Sequence, residues 1–477
     1  MITLVLSAVI LRYYITEYGE TREAIKEQAV TGARETEGTF AGAEDRMQAA
    51  EKDKGQPAAE KESQMTEEAV QTAAEETAQE AQKVIRVLIK TDDFLDIFHR
   101  ELEITGTGAF RVVQGEDEVT YPSGTVFSAQ TFFDSKEASD EIPVILSPVE
   151  PDGRLQVLNL VRNESPPAYL GTLEISRQEN GYLLINELPL EEYLPSVLSS
   201  EMSGGFPSEA LKAQAVSART YALKCIREAG GSCHGADLDD SVSYQVYNNM
   251  PGDAATRQAV EDTAGLVLEK EGKLADVSYF STSSGVTPED FFETEEEFRQ
   301  FIQEGRDTDL EREEPWYRWS AQITSEQIRN NLLNMGLEAP GTVTGIAVTE
   351  RDANGQAREL EILGENSSLH IAGEYDIRQT LSPGTAILLQ DGSSCAPMQL
   401  LPSAWFVIDR WETGEETAET EEDSTAEPGW KLTGGGFGHG NGMSQNGARI
   451  MASQGKTFRE ILEFYYPGTQ VLIPEDR

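Results

Sequence analysis

The sequence predicts an α+β fold: a β-rich body that carries a helical segment, preceded by a disordered acidic tether. Three observations lead there. The chain has 477 residues at a hydrophobic share of 38%, enough for two or three domains with cores of their own. Short apolar runs divided by turn residues dominate from Val84 onward. Between Pro195 and Ala229 the apolar period lengthens to that of a helix. With 84 Asp and Glu against 38 Lys and Arg, the net charge of -46 excludes a general nucleic-acid binder, because phosphates would be repelled.

Residues 1–14 open the chain with an almost wholly apolar run, 1–11, that meets Arg12, Tyr13 and Tyr14. A membrane span needs ~20 apolar residues, and a signal peptide would open on basic residues and end in a small-residue cleavage site. An apolar run closing on an arginine and two tyrosines reads as the outer half of an anchor, so 1–14 are expected to continue a segment that starts upstream. Residues 15–83 are rich in Glu, Ala, Gln, Lys and Thr, with Tyr18 and Phe40 as aromatics, and bury too little to offset chain entropy. As a coil such a tether spans about 45 Å, from a rule of roughly 5–6 Å times root n, and charge repulsion extends it.

Residues 84–187 alternate as strands, beginning with Val84-Ile-Arg-Val-Leu-Ile. Residues 188–285 form the helical core. Pro195 suits a first helical position, and Leu194, Val197, Leu198 and Glu201 fall at i, i+3, i+4 and i+7. Pro207 opens a second helix whose face carries Leu211, Ala215, Ala218, Ala222 and Cys225, and Gly230-Gly231 stops it. A strand over Ser243-Tyr-Gln-Val-Tyr, a helix near 255–263, and a hairpin of Leu266-Val-Leu and Val277-Ser-Tyr-Phe about Glu271-Gly272 follow. Residues 286–411 are an α+β accessory part, with a helix over Ser325–Met335 and strands at Thr344-Gly-Ile-Ala-Val and Glu359-Leu-Glu-Ile-Leu. Residues 412–428 are an acidic loop, and 429–477 are glycine-rich, then helical from Met443.

Four groups of residues could carry chemistry. A carboxylate on a buried helical stripe is desolvated, which makes Glu201 a candidate general acid; the alternatives are that it reaches water or pairs with Arg219. In Gly436-Phe-Gly-His-Gly-Asn-Gly-Met-Ser-Gln-Asn-Gly-Ala448, glycines alternate with His439, Ser444 and Gln445, so the backbone comes close to something. No Gly-Lys-Ser/Thr follows and no βαβ unit surrounds the run, so it is not a nucleotide loop. Close backbone approach with a few hydrogen-bonding side chains suits a carbohydrate groove. Tyr279-Phe-Ser-Thr-Ser-Ser-Gly-Val-Thr287 ends a strand in a hydroxyl-rich turn; Ser281 or Ser283 beside His439 would be nucleophiles only with a third member that no spacing identifies. Cys225, Cys233, His234, Asp237, Asp239 and Asp240 crowd one segment, but adjacent Cys233 and His234 rarely face a single ion. Cys225 and Cys233 could pair or remain thiols.

Together these stretches resemble a known family. Leu190-Glu-Glu-Tyr-Leu with Val197 and Ser200-Glu-Met202, Glu209-Ala-Leu-Lys-Ala-Gln-Ala-Val-Ser-Ala-Arg-Thr-Tyr221, Tyr244-Gln-Val-Tyr247, Ser281-Thr-Ser-Ser-Gly285, the tail from Gly436 to Ala448 and Tyr465-Tyr-Pro-Gly-Thr469 occur in the order found in stage II sporulation protein D and the related amidase enhancers. The resemblance runs from about Val84 to the C-terminus. It implies a membrane-anchored lytic transglycosylase that works outside the cytoplasmic membrane on peptidoglycan, with Glu201 as the catalytic residue. Arg219, Gln245, Tyr247, Thr282, Ser283, Gly438, His439, Gly440, Ser444 and Gln445 would bind the substrate. The alternative is a glycan-binding module without catalysis that stimulates a cell-wall amidase. Implied partners are peptidoglycan glycan strands, the sporulation amidase (stage II sporulation protein P) and a membrane anchor complex, with no cofactor. Some members hold zinc through a His followed by two Cys; here His234 is followed by Asp240 and Tyr244, so no metal is expected. Where the family often has two glycines after Ser-Thr-Ser, this chain has Ser284 and Gly285.

Overall fold

A computed structural model describes residues 83–474, apart from 92–93, 136–137, 203, 230–232, 249–251, 288–289 and 412–428. The expected anchor over 1–14, the tether over 15–83 except its last residue Lys83, and the acidic loop over 412–428 lie outside the described residues. The fold is α+β, and the chain divides into two compact units, one of residues 1–205, 222–267 and 471–477 and the other of 206–221 and 268–470. Among the described residues, no helix is long and apolar enough to cross a membrane.

The first unit is built on a seven-stranded sheet in the order Leu238–Asp239, Val84–Leu88, Gly181–Pro189, Thr172–Gln178, Val144–Pro148, Phe110–Gln114, Asp117–Tyr121. Only the two-residue strand pairs in parallel, with Val87 opposite Leu238. Strand Gly181–Pro189 lies inside the sheet and is buried from Tyr182 to Asn186 and again at Leu188, and it runs directly into the helix Leu190–Glu201. That helix starts five residues before the Pro195 that the sequence offers as its first position. Leu190 donates its amide to Lys83 O at 2.8 Å, Glu191 and Glu192 favour the positive helix start, and Leu190, Tyr193 and Leu194 are buried. Pro195 therefore stands inside the helix and leaves one i to i−4 bond unmade, a cost the buried turn before it offsets.

Just past the edge strand Leu238–Asp239, Asp240 and Arg162 form a buried ion pair at 2.9 Å, with side chains 0% and 4% exposed. Asp240 also accepts the Lys90 amide at 3.0 Å, and Arg162 donates to Lys90 O at 2.6 Å. Together they bind the loop after the first strand to the segment at 240.

The second unit holds a five-stranded sheet (Ser394–Cys395, Ile387–Leu389, Trp319–Thr324, Gly429–Gly434, Phe406–Trp411), a three-stranded meander (Val343–Arg351, Ala357–Gly364, Ser368–Ala372) and a parallel pair, Tyr279–Phe280 with Met443–Ser444. Helix Ser325–Asn334 begins in a capping box of Thr324 and Gln327, close to its expected span. The Glu271-Gly272 turn forms with both residues at positive φ, but its return strand is Lys273–Leu274, because Tyr279–Phe280 pairs elsewhere. The helix Ser208–Ala229 runs from just after Pro207 to just before Gly230, as its punctuation predicts.

Removing one partner of the buried pair strands the other charge, so Asp240→Ala should lower the unfolding free energy by about 3–5 kcal/mol in denaturant titrations. Burial, ahead of the opposing pull of Arg162, pushes the Asp240 carboxyl up from 3.8 to about 6. Between these values the folded chain holds a proton that the unfolded chain releases, so this group's contribution to stability falls as pH rises from 3.8 to about 6. Asp240→Asn should remove that component, which unfolding titrations at the two ends of the window would read.

Candidate active site

In the first unit the site residues gather at the end of the helix Leu190–Glu201. Glu201 is the last helical residue and half-buried, and its Oε1 accepts the Val246 amide at 2.9 Å. One residue earlier, Ser200 donates to Ser196 O at 2.7 Å and accepts the Asn248 amide at 3.2 Å. The expected strand over 243–247 is therefore absent. Its amides go to side chains and turn carbonyls, with Tyr244 N donating to Ser241 O and Tyr247 N to Asp240 O, so the segment is a loop laid against the helix end.

Gln245 and Tyr247 are each 1% exposed. Tyr247 donates its hydroxyl to Asn186 Oδ1 at 3.1 Å and packs on Tyr193, with ring centroids 4.9 Å apart, while Tyr193 donates to Gln245 at 3.4 Å. These side chains form the floor that fixes the height of the Val246 amide under Glu201.

The remaining expected site residues belong to the second unit. Arg219, on the helix Ser208–Ala229, is fully buried. Thr282 pairs with Phe437 through two backbone bonds of 3.1 and 2.8 Å, and its hydroxyl accepts Asn446 Nδ2 at 3.0 Å. The hydroxyl-rich turn thus lies along the glycine-rich segment. Thr282, Ser444 and Gln445 are buried, whereas Ser283, Gly438, His439 and Gly440 are half-buried.

The glycine alternation has an internal cause. Gly436, Gly438, Gly440 and Gly442 all have positive φ; a Cβ on Gly440 would strike the Trp405 ring and one on Gly442 the Ser278 carbonyl oxygen. The close approach read from sequence is, at these two positions, an approach to the protein's own chain.

His439 accepts the Asn441 amide on Nδ1 at 3.1 Å, which leaves Nε2 to carry the proton and donate to Tyr279 O at 3.0 Å. Burial holds the imidazole below its ordinary value. A neutral ring with both nitrogens committed to backbone cannot serve as base to Ser281 or Ser283. The described hydrogen bonds thus argue against a serine hydrolase.

Glu311 has no role in the sequence reading, where it falls in the accessory part over 286–411. It is 3% exposed, and its Oε2 accepts both the Ser283 amide at 2.9 Å and the Ser444 hydroxyl at 2.7 Å. Burial pushes its carboxyl up to about 7. The hollow at the glycine-rich segment is narrow, about 20 Å³, and an open cleft of about 500 Å³ in the same unit is lined instead by Phe291, Phe292, Phe301, Glu297 and Arg306.

The residues at the family's zinc positions do not fit that metal. Asp240 is taken by Arg162 and Lys90, and His234 and Tyr244 are exposed; among the described residues no three His, Cys, Asp or Glu side chains converge on one point. No disulfide forms among the three described cysteines.

Residues 178–269, which span the Glu201 helix and the loop beneath it, match the family described as stage II sporulation protein, SpoIID. The chain carries a SpoIID domain. Residues 275–442 match a second family, a domain of unknown function (DUF8618). Over 303 residues the chain is 28% identical to stage II sporulation protein D of Bacillus subtilis (strain 168), covering 60% of this chain and 75% of the relative. It is 29% identical over 308 residues to an uncharacterized protein of Brachyspira hyodysenteriae, covering 64% and 72%. It is 27% identical over 294 residues to the amidase enhancer of Bacillus subtilis (strain 168), covering 58% and 40%.

Gly442→Ala should destabilise the second unit, since φ is +78° there and a Cβ meets backbone that cannot swing away. Differential scanning calorimetry should show a lowered transition, while Gly455→Ala, also at positive φ but with nothing within 4 Å, should cost less.

Proposed function

We propose that the SpoIID domain is a peptidoglycan lytic transglycosylase of sporulation, tethered at the outer face of the cell membrane, with Glu201 as its acid and then its base. The observation that carries this reading is the Glu201 carboxyl, half-buried at a helix end and oriented by the Val246 amide within the matched domain. The Val246 amide on Oε1 holds the carboxyl in a fixed orientation for proton transfer. In the first half of the reaction the protonated carboxyl gives its proton to the oxygen linking N-acetylmuramic acid C1 to N-acetylglucosamine, and that C–O bond breaks. In the second half the carboxylate takes the proton of the muramic acid 6-hydroxyl as its oxygen bonds to C1. The product is a 1,6-anhydro end, no water is consumed, and Glu201 is reprotonated. A single carboxyl suffices, unlike the two of ordinary glycosidases.

In this reading the half-buried Ser283, Gly438, His439 and Gly440 meet the glycan, and the buried Arg219, Gln245, Tyr247, Thr282, Ser444 and Gln445 hold the binding segments in shape. Strands stripped of stem peptides by the sporulation amidase would be the better substrate. The name of one relative, amidase enhancer, supports the second reading, a glycan-binding protein that stimulates such an amidase.

Glu201→Gln should leave the unfolding transition in place and slow anhydro-end formation by about 10²–10⁴-fold on denuded glycan strands analysed by mass spectrometry. Anhydro ends at the wild-type rate from that variant would end the catalytic role. A wild type that makes none, yet stimulates the amidase as well as Glu201→Gln does, would establish the second reading. Because Asp240 is spent on Arg162, activity should also survive EDTA; a loss that zinc restores would point to a site rearranged around Cys225, Cys233 and His234.

A further inference from the structure

We propose that Glu311 is a positioning residue that locks the Ser281–Gly285 turn to the glycine-rich segment at Ser444–Gly447, so that its protonation state sets how well the two present themselves to a glycan. The inference rests on the glycan-binding reading of these segments and names a control within it.

The geometry is a relay of hydrogen bonds across more than a hundred residues of sequence. Gly447 donates its amide to Ser444 Oγ at 3.2 Å, capping the helix Gln445–Ser453; Ser444 donates its hydroxyl to Glu311 Oε2; the Ser283 amide donates to the same oxygen. One carboxylate oxygen thus joins a helix cap to a turn. The fit is close, since a Cβ on Gly447 would stand 2.8 Å from Glu311 Oε1 and strike the Tyr465 hydroxyl.

Ser444 has a second acceptor, Ser281 O, at 3.3 Å. With Glu311 ionised, the serine proton points to the carboxylate. With Glu311 protonated on Oε2, the carboxyl donates to Ser444 Oγ, the serine proton turns to Ser281 O, and Ser283 N is left facing a poorer acceptor. Protonation therefore loosens the turn without removing any side chain. The charged and titratable groups around Glu311 are Glu314 on its own loop, Arg449 from the helix Gln445–Ser453, which pairs with Glu314, and Tyr465 from the helix Phe458–Tyr465.

The test uses the full chain, denuded glycan strands as probe, and the variants Glu311→Gln and Glu311→Ala. Amide hydrogen exchange in Glu311→Ala should quicken at least tenfold at both Ser283 and Gly447, and strand affinity should drop at least tenfold. Glu311→Gln, whose carbonyl oxygen can still accept both donors, should restore most of the protection but abolish the change in strand affinity that the wild type shows between pH 6 and 8. Unchanged exchange at either amide in Glu311→Ala, or a wild-type pH profile in Glu311→Gln, would overturn the proposal. If Glu311→Ala does not fold, the Glu311→Gln profile decides. If the wild type binds no strands at any pH, the glycan reading fails, and the exchange rates in Glu311→Gln across the same pH range still decide the role of Glu311.

Discussion

A backbone amide that leaves a strand ladder inside a protein must be given another acceptor, and two carboxylates of this chain meet that need. Glu201 takes the Val246 amide in the first unit, and Glu311 takes the Ser283 amide in the second. Val246 lies in a loop laid against a helix end, and Ser283 follows the bridge of Thr282 to Phe437, so each amide turns to a carboxylate instead of a strand carbonyl. The same bond that satisfies the amide fixes the carboxyl. A carboxyl held by a backbone amide keeps the orientation that the fold gives it, and Glu311 is held further by the Ser444 hydroxyl.

This constraint also explains which parts of the fold were legible from sequence. Periodicity found the helices Ser208–Ala229 and Ser325–Asn334 because their faces and caps are local signals. It misplaced the start at Pro195, since the burial of Leu190, Tyr193 and Leu194 against the sheet is a tertiary gain that no local window contains. It read 243–247 as a strand on alternation alone, where the amides in fact go to Glu201, Ser200 and turn carbonyls. Glu201 was legible because it sat on an apolar stripe. Glu311 was not, because its burial depends on Ser283 and Ser444, each far away in sequence.

The glycine run shows the same limit from another side. Alternating glycines correctly announced close backbone approach, and sequence alone cannot say to what. For Gly440 and Gly442 the answer is Trp405 and Ser278, so their first task is to let the segment fold against its own unit. Binding surface then has to come from what that folding leaves outside. Thr282 and Ser444 are spent on internal bonds, and the half-buried Ser283, His439 and their glycine neighbours remain. Preorganisation of this kind lowers the ordering cost of binding, at the expense of donors that never reach the ligand.

Charge indicates which part of a glycan these segments would meet: its uncharged hydroxyls and acetamides, not the lactyl carboxylates that removal of the stem peptides leaves. The chain carries a net charge of -46, yet residues 279–285 and 436–448 contain no Asp, Glu, Lys or Arg at all. His439 is neutral through its tautomer and burial, and Arg449, just beyond the run, is paired with Glu314. A segment meant to hold phosphate or a carboxylate by its charge would show a free cation here, as Arg-based anion sites do. What these stretches present instead is backbone and hydroxyl groups, suited to the hydroxyls and acetamides of a sugar, with the His439 ring nitrogens already bonded to backbone. The acidic excess belongs to the rest of the molecule. Acidic residues beyond a Debye length of about 8–10 Å at physiological salt are screened from whatever lies on the motif, whereas the Glu311 carboxyl, bonded to Ser283 and Ser444, acts on the segments directly.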